Sequence, residues 1–224
     1  MTFSLVARDA QTGAFGMIIS SSSPAVASRC LNLRAGVGAA SSQNVTNPAL
    51  GGFVLDRLAR GESSEAAVSA SAASDPYPEY RQLTAVDAQG RAAVFSGEKS
   101  LGVHTERIGQ GAVAAGNLLA SERTIDELLE GYLRSNATTF EARLLDGALA
   151  ALAAGGEAGP VRSAGLAVVE NEPWRVTDLR VDDHDAPIGE LARLLELWLP
   201  QKEAYRARAH DPREAPSYGV PGDE

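Results

Sequence analysis

Apolar and polar residues alternate over residues 2–7 (TFSLVA), the period of a half-buried strand. Residues 9–13 (DAQTG) are turn chemistry, and residues 14–20 (AFGMIIS) form a second, almost wholly apolar run, so the opening stretch predicts a hairpin. Four serines at 20–23 and Pro24 end it. Residues 36–42 (GVGAASS) predict a strand of small side chains. Asn47–Pro48 marks a helix start, with Asn47 as cap and Pro48 in the first turn; the helix is expected to run to Arg60 and stop at Gly61. A second helix is expected from Ser63 to about Ser74, ended by Asp75–Pro76.

Strands then return. Residues 81–86 and 91–95 flank the turn 87–90 (DAQG), and residues 112–115 predict a further strand. Helices are expected over residues 121–134 and 138–154, the second ending at Gly155–Gly156. Residues 163–169 and 174–181 predict a third hairpin around Asn171–Glu172–Pro173. Residues 187–209 read as one long amphipathic helix with Leu191, Leu194, Leu195 and Trp198 on one face. Residues 211–224, rich in Pro, Gly and charge, read as an irregular tail.

Paired strands separated by paired helices argue against a doubly wound parallel sheet. The expected class is α+β, with two stacked antiparallel sheets covered by helices, in a single domain over residues 1–210. The net charge of −9 and the absence of a basic stripe or Lys/Arg run exclude nucleic acid and anionic membrane as expected partners. One cysteine, Cys30, rules out an internal disulfide framework or a multi-cysteine zinc site and reads as packing. No basic region followed by an apolar stretch opens the chain and no run reaches a membrane span, so a cytoplasmic location is expected.

Thr2 is the first candidate for chemistry. Met is trimmed before small residues, which would leave a threonine with both a hydroxyl and a free α-amine. Such an amine has a pKa of about 8, so its neutral fraction can take the hydroxyl proton. A strand beginning at residue 2 would hold that amine in place. The glycine clusters at 36–38 and 109–111 lack the following helix of a nucleotide fingerprint, and no nucleophile elbow is present. Asp182–Asp183–His184–Asp185 reads as a solvated turn before the last helix.

The stretches TFSLVARDAQTGAFG, RAGVGAASSQNVTNPALG, YRQLTAVDAQGRAAVFSG, AAGNLLAS and SAGLAVVENEPWRVTDLRVDDHDAPIGEL, in that order and spacing, resemble an uncharacterised bacterial family, domain of unknown function 1028, within the N-terminal-nucleophile hydrolase superfamily. The resemblance spans nearly the whole chain. It implies a four-layer αββα sandwich and an active site at Thr2. Ser21 and Ser22 fall where the second strand ends, beside the expected place of Thr2, as substrate-binding candidates. Many members carry Lys or Arg where this chain has Ser22; Arg34 is the candidate replacement cation. Gln43 matches the family pattern and, with Asn44, precedes a helix, a natural place for an oxyanion hole; Asn44 reads equally as a turn residue. Asn117 in AAGN matches a further motif, with oxyanion stabilisation set against a turn role.

The leading expectation is a hydrolase of a small-molecule amide, with Thr2 as nucleophile, Gln43 or Asn117 steadying the oxyanion, and no metal or organic cofactor. Against it stands a catalytically inactive ligand-binding or assembly protein on the same fold. Self-processing to an internal nucleophile is the third reading. Expected partners are a small-molecule substrate and further copies of the chain, as a homodimer or higher homo-oligomer.

Overall fold

Asp9 closes the first turn. Its carboxylate accepts from Thr12 Oγ1 at 2.8 Å, and its backbone N–H donates to Ala14. Gly13 takes φ 78°, the left-handed backbone that such a turn needs. The computed structural model, which describes residues 1–222, runs on from that hairpin in the order β1 (Thr2–Arg8), β2 (Phe15–Ser21), α1 (Val26–Cys30), β3 (Leu31–Arg34), β4 (Gly38–Asn44), α2 (Ala49–Ala59) and α3 (Ser64–Ser74). A 3-10 turn at Pro78–Tyr80 leads to β5 (Arg81–Asp87), β6 (Ala92–Ser96), β7 (Thr105–Gly109), β8 (Ala112–Asn117), α4 (Arg123–Arg134) and α5 (Phe140–Ala153). The chain ends through β9 (Ser163–Val169), β10 (Arg175–Val181), α6 (Pro187–Trp198) and α7 (Lys202–His210).

The fold is mixed α+β, with two antiparallel sheets and seven α-helices among the described residues. One sheet has the order β10-β9-β2-β1-β8-β7 and the other β3-β4-β5-β6. Strand alternation divides β1 between two environments. Phe3, Leu5 and Ala7 join a cluster with Ile125 and Leu128 of α4, Leu144 of α5 and Leu191 of α6. Val6 joins Phe15, Met17 and Ile19 of β2 and Val86 of β5, between the sheets. The far face of the smaller sheet is covered by Leu50, Val54 and Leu55 of α2 and Val68 of α3, which pack on Leu83 and Ala85. At Gly16 a Cβ would stand 2.6 Å from both Leu144 and Phe140, so α5 lies directly against the strand.

Three parts of the structure differ from the sequence reading. The long final helix is broken between Trp198 and Lys202, because Pro200 offers no N–H and crowds the residue before it. The short α1 and β3 fill a stretch that has no clear period, and β7 (TERIG) carries no alternation of its own beyond pairing with β8. Residues 211–222 form neither helix nor strand; the last two positions of that expected tail lie outside the described residues. No helix of the described residues is long and apolar enough to cross a membrane.

Candidate functional site

β1 sits between β2 and β8, so its first residue has a neighbour on each side. Thr2 pairs with Asn117 of β8, and the adjacent pairing of Phe3 with Ser20 brings Ser21 of β2 to its other flank. All three side chains are buried. Thr2 Oγ1 donates to the Met1 carbonyl at 2.5 Å and lies 3.4 Å from Ser21 Oγ; Ser21 Oγ donates to that same carbonyl at 2.5 Å. The oxygen of one carbonyl group, whose carbon is bonded to the nitrogen of Thr2, is thus held by two hydroxyls.

A cation reaches this cluster by a route the sequence did not suggest. Arg29 Nη2 donates to Ser23 Oγ at 3.0 Å, and Ser23 Oγ is 2.9 Å from Ser21 Oγ. Arg29 is held over the turn by the carbonyls of Pro24 and Ala25. Arg34, the expected replacement cation, is elsewhere. It pairs with Gly38, five residues along β4 from Gln43, roughly 17 Å away at strand rise, and its guanidinium is tied to Asp56 of α2 at 2.8 Å. The four-serine run hides this: a cation one turn onward, on α1, contacts Ser23 because α1 folds back over it.

Glu157 is the second residue that sequence reasoning missed. It follows Gly155–Gly156 in the loop after α5 and is 4 % exposed. Its Oε2 accepts the Ser22 N–H at 3.0 Å, while its Oε1 is buried without a partner. Burial pushes its pKa up to about 7, opposed by the nearby N-terminal ammonium and by the Ser22 hydrogen bonds. Met1 packs against the same loop, its Cε 3.2 Å from where a Cβ on Gly159 would stand. The only local signal for Glu157 was a lone carboxylate after a glycine pair.

Gln43 is fully enclosed and fully bonded. Its Nε2 donates to Gln82 Oε1 at 2.9 Å and to the Ala115 carbonyl at 3.2 Å; its Oε1 accepts from Ser4 at 2.6 Å and Ser41 at 3.1 Å. With both N–H groups engaged it has no donor left for an oxyanion, contrary to expectation. Asn117 has more freedom: Nδ2 gives one N–H to Gln82 Oε1 at 3.2 Å, and its Oδ1 is buried and unpartnered. Gln82, absent from the sequence-based candidates, joins the two and reaches the Gly116 carbonyl and Ser96. Asn44 has φ 72° and bonds the Tyr80 carbonyl and the Leu101 N–H, which is the turn role. Asp183 and Asp185 are ion-paired to Arg162.

The structure therefore brings Thr2, Ser21, Ser22 and Asn117 together, with Gln43 behind them, and leaves Arg34 apart. Residues 2–191 match a family described as "Family of unknown function (DUF1028)". A crystal structure of protein SPO2555 from Silicibacter pomeroyi, labelled with the same family, is 32% identical, covers 88% of each chain and superposes with a TM-score of 0.82. Anbu (ancestral beta-subunit) from Yersinia bercovieri is 11% identical over 91% of this chain and 97% of its own, with a TM-score of 0.38. No curated protein matches.

Proposed function

The chain belongs to the DUF1028 family, and from the geometry at its first strand we propose that it is a hydrolase of small-molecule amides with an N-terminal nucleophile, Thr2. In this reading the two sheets and their flanking helices form a four-layer αββα sandwich over residues 1–210, and Met1 is removed. The observation that carries the reading is the buried row Asn117–Thr2–Ser21, in which Thr2 Oγ1 and Ser21 Oγ both bond one carbonyl oxygen.

Removal of Met1 frees the Thr2 amine and vacates the space beside Gly159 and Glu157. Thr2 Oγ1 then attacks the acyl carbon of the substrate and passes its proton to its own amine. The substrate carbonyl takes the place of the Met1 carbonyl, so Ser21 donates to the developing oxyanion, joined by the second N–H of Asn117. Arg29 polarises Ser21 through Ser23. The amine returns the proton to the leaving nitrogen, and water cleaves the acyl-enzyme. Glu157 holds the Thr2 ammonium through its free Oε1. Gln43 and Gln82 position Asn117 and take no part in the bond changes; Ser22 fixes Glu157.

Intact-mass measurement followed by labelling with an electrophilic acyl probe tests this. The purified protein is expected to lack Met1 and to take one probe per chain, with no labelling of Thr2→Ala. A retained Met1, or labelling that survives Thr2→Ala, would sink the mechanism and leave a binding or assembly role on this fold.

A further inference from the structure

The opposite end of β1 carries a different chemistry. Arg8 lies six residues from Thr2, roughly 20 Å along the strand. Around it the β1–β2 turn, the β7–β8 turn and the α4–α5 connection enclose a cavity of about 220 Å³, lined by Arg8, Asp9, Gln110, Tyr132, Ser135 and Arg143 among others. Arg143 has its counterion, Asp9, at 3.0 Å. Asp9 is otherwise saturated by Thr12 and the Gln11 N–H. Asp146, behind the wall, is taken by Ser135 Oγ at 2.5 Å.

Arg8 has no such partner. It is half-buried, it makes no ion pair or side-chain hydrogen bond among the described residues, and its Nε is buried with none. Arg143 Nε is buried and unpartnered as well. Two guanidiniums against one carboxylate leave a surplus of one positive charge in a chain of net charge −9. A half-buried cation without a counterion is costly unless something fills the place. The buried Nε atoms leave the Nη ends of Arg8 as the donors a ligand can reach. Burial also pushes the Tyr132 phenol up to about 12, so it stays protonated and a donor. Leu133 and Tyr132 add apolar wall.

We propose that this cavity binds a carboxylate-bearing small molecule, with Arg8 gripping the carboxylate and Tyr132 and Leu133 packing on its apolar part. A single negative charge matches the surplus; a doubly charged phosphate would bring extra repulsion against Asp9. The volume is below that of a drug-sized ligand pocket, which suits a short-chain acid. This site is independent of Thr2 and of the hydrolase reading.

Titration of the full chain with propionate, followed by backbone amide chemical shifts, tests it. Saturable shifts are expected at residues 8–11, 110–111 and 132–135. Arg8→Gln, which removes no ion pair or side-chain hydrogen bond found among the described residues, is expected to weaken binding roughly tenfold or more, and Arg8→Lys by less, since it keeps the charge but loses the fork. At matched ionic strength phosphate is expected to bind more weakly than propionate. Unchanged affinity in Arg8→Gln, shifts that do not saturate, or phosphate binding as tightly would each overturn the assignment. Circular dichroism of the variants establishes that a loss of binding is not a loss of fold.

Discussion

The space between the two sheets is divided into unlike halves. Away from the start of β1 it is filled by Val6, Phe15, Met17, Ile19, Val86, Val113 and Ala167, all apolar and all enclosed. Toward the start of β1 the same two faces carry Ser4, Ser41, Gln43, Gln82, Thr84 and Asn117, equally enclosed. The apolar half draws on removal of area from water and tolerates changes of shape. The polar half gains little net free energy per bond and loses much when one bond is left unmade. Four hydrogen bonds there run between sheets: Ser4 to Gln43, Gln43 to Ala115, Gln82 to Gly116 and Asn117 to Gln82. Because these bonds have fixed donors and acceptors, they set how the sheets align, which greasy contact does not. The half that costs more in folding is the half beside Thr2, and alignment of Asn117 with Thr2 is what a reaction at that hydroxyl would need.

Replacing Gln43 tests that contrast most severely. Gln43→Leu nearly conserves volume but strips partners from Ser4, Ser41, Gln82 and Ala115 at once. It is expected to cost roughly 3 kcal/mol or more, against less than about 1.5 kcal/mol for Met17→Leu in the apolar half. Urea denaturation of both variants measures the difference; equal costs would mean that the amide network does not hold the sheets.

The division was partly legible in the chain. The alternation of β1 and β2 and the turn at Asp9–Gly13 announced the hairpin, and the family pattern pointed to Gln43 and Asn117. Gln82 went unremarked because one glutamine in a strand that reads RQLTAVD has no local meaning; only the crossing of β5 over β8 gives it partners. Arg29 and Glu157 were invisible for a similar reason. Each meets the site through a loop closure, the one by α1 folding over Ser23 and the other by the stretch after α5 reaching Ser22. Arg34, the expected replacement cation, is carried by its strand to the other end of the smaller sheet, a placement that no local pattern around it reveals.

Glu157 allows a test by pH. Its folded pKa, about 7, is above the ordinary carboxylate value of 4.5, chiefly through burial. A proton is therefore held more tightly in the folded chain than in the unfolded one. The favourable contribution is complete below about pH 4.5 and is lost as pH rises through about 7. Carboxylates lowered by their partners, such as Asp75 beside Asn47 and Arg81, act in the opposite direction at lower pH. Comparison with Glu157→Gln, which keeps an acceptor for Ser22, removes those common effects. Over that range the wild type is expected to lose on the order of 2 kcal/mol relative to the variant. Parallel pH profiles would show that Glu157 is not held in a dry environment and would remove it from the account of the site.

The smallest effect separates the network from its individual members. Ser4→Ala deletes one hydroxyl from β1 but leaves Gln43 Oε1 with Ser41, so no buried acceptor is orphaned. The cost is expected to be about 1 kcal/mol, a single neutral hydrogen bond. If alignment of the sheets rests on the glutamine pair, labelling at Thr2 should be unchanged in Ser4→Ala, because Gln43 to Ala115 and Gln82 to Gly116 still span the gap. A large fall in labelling with so small a loss of stability would instead place the critical constraint on β1 itself, two residues from Thr2, and make the glutamines its support.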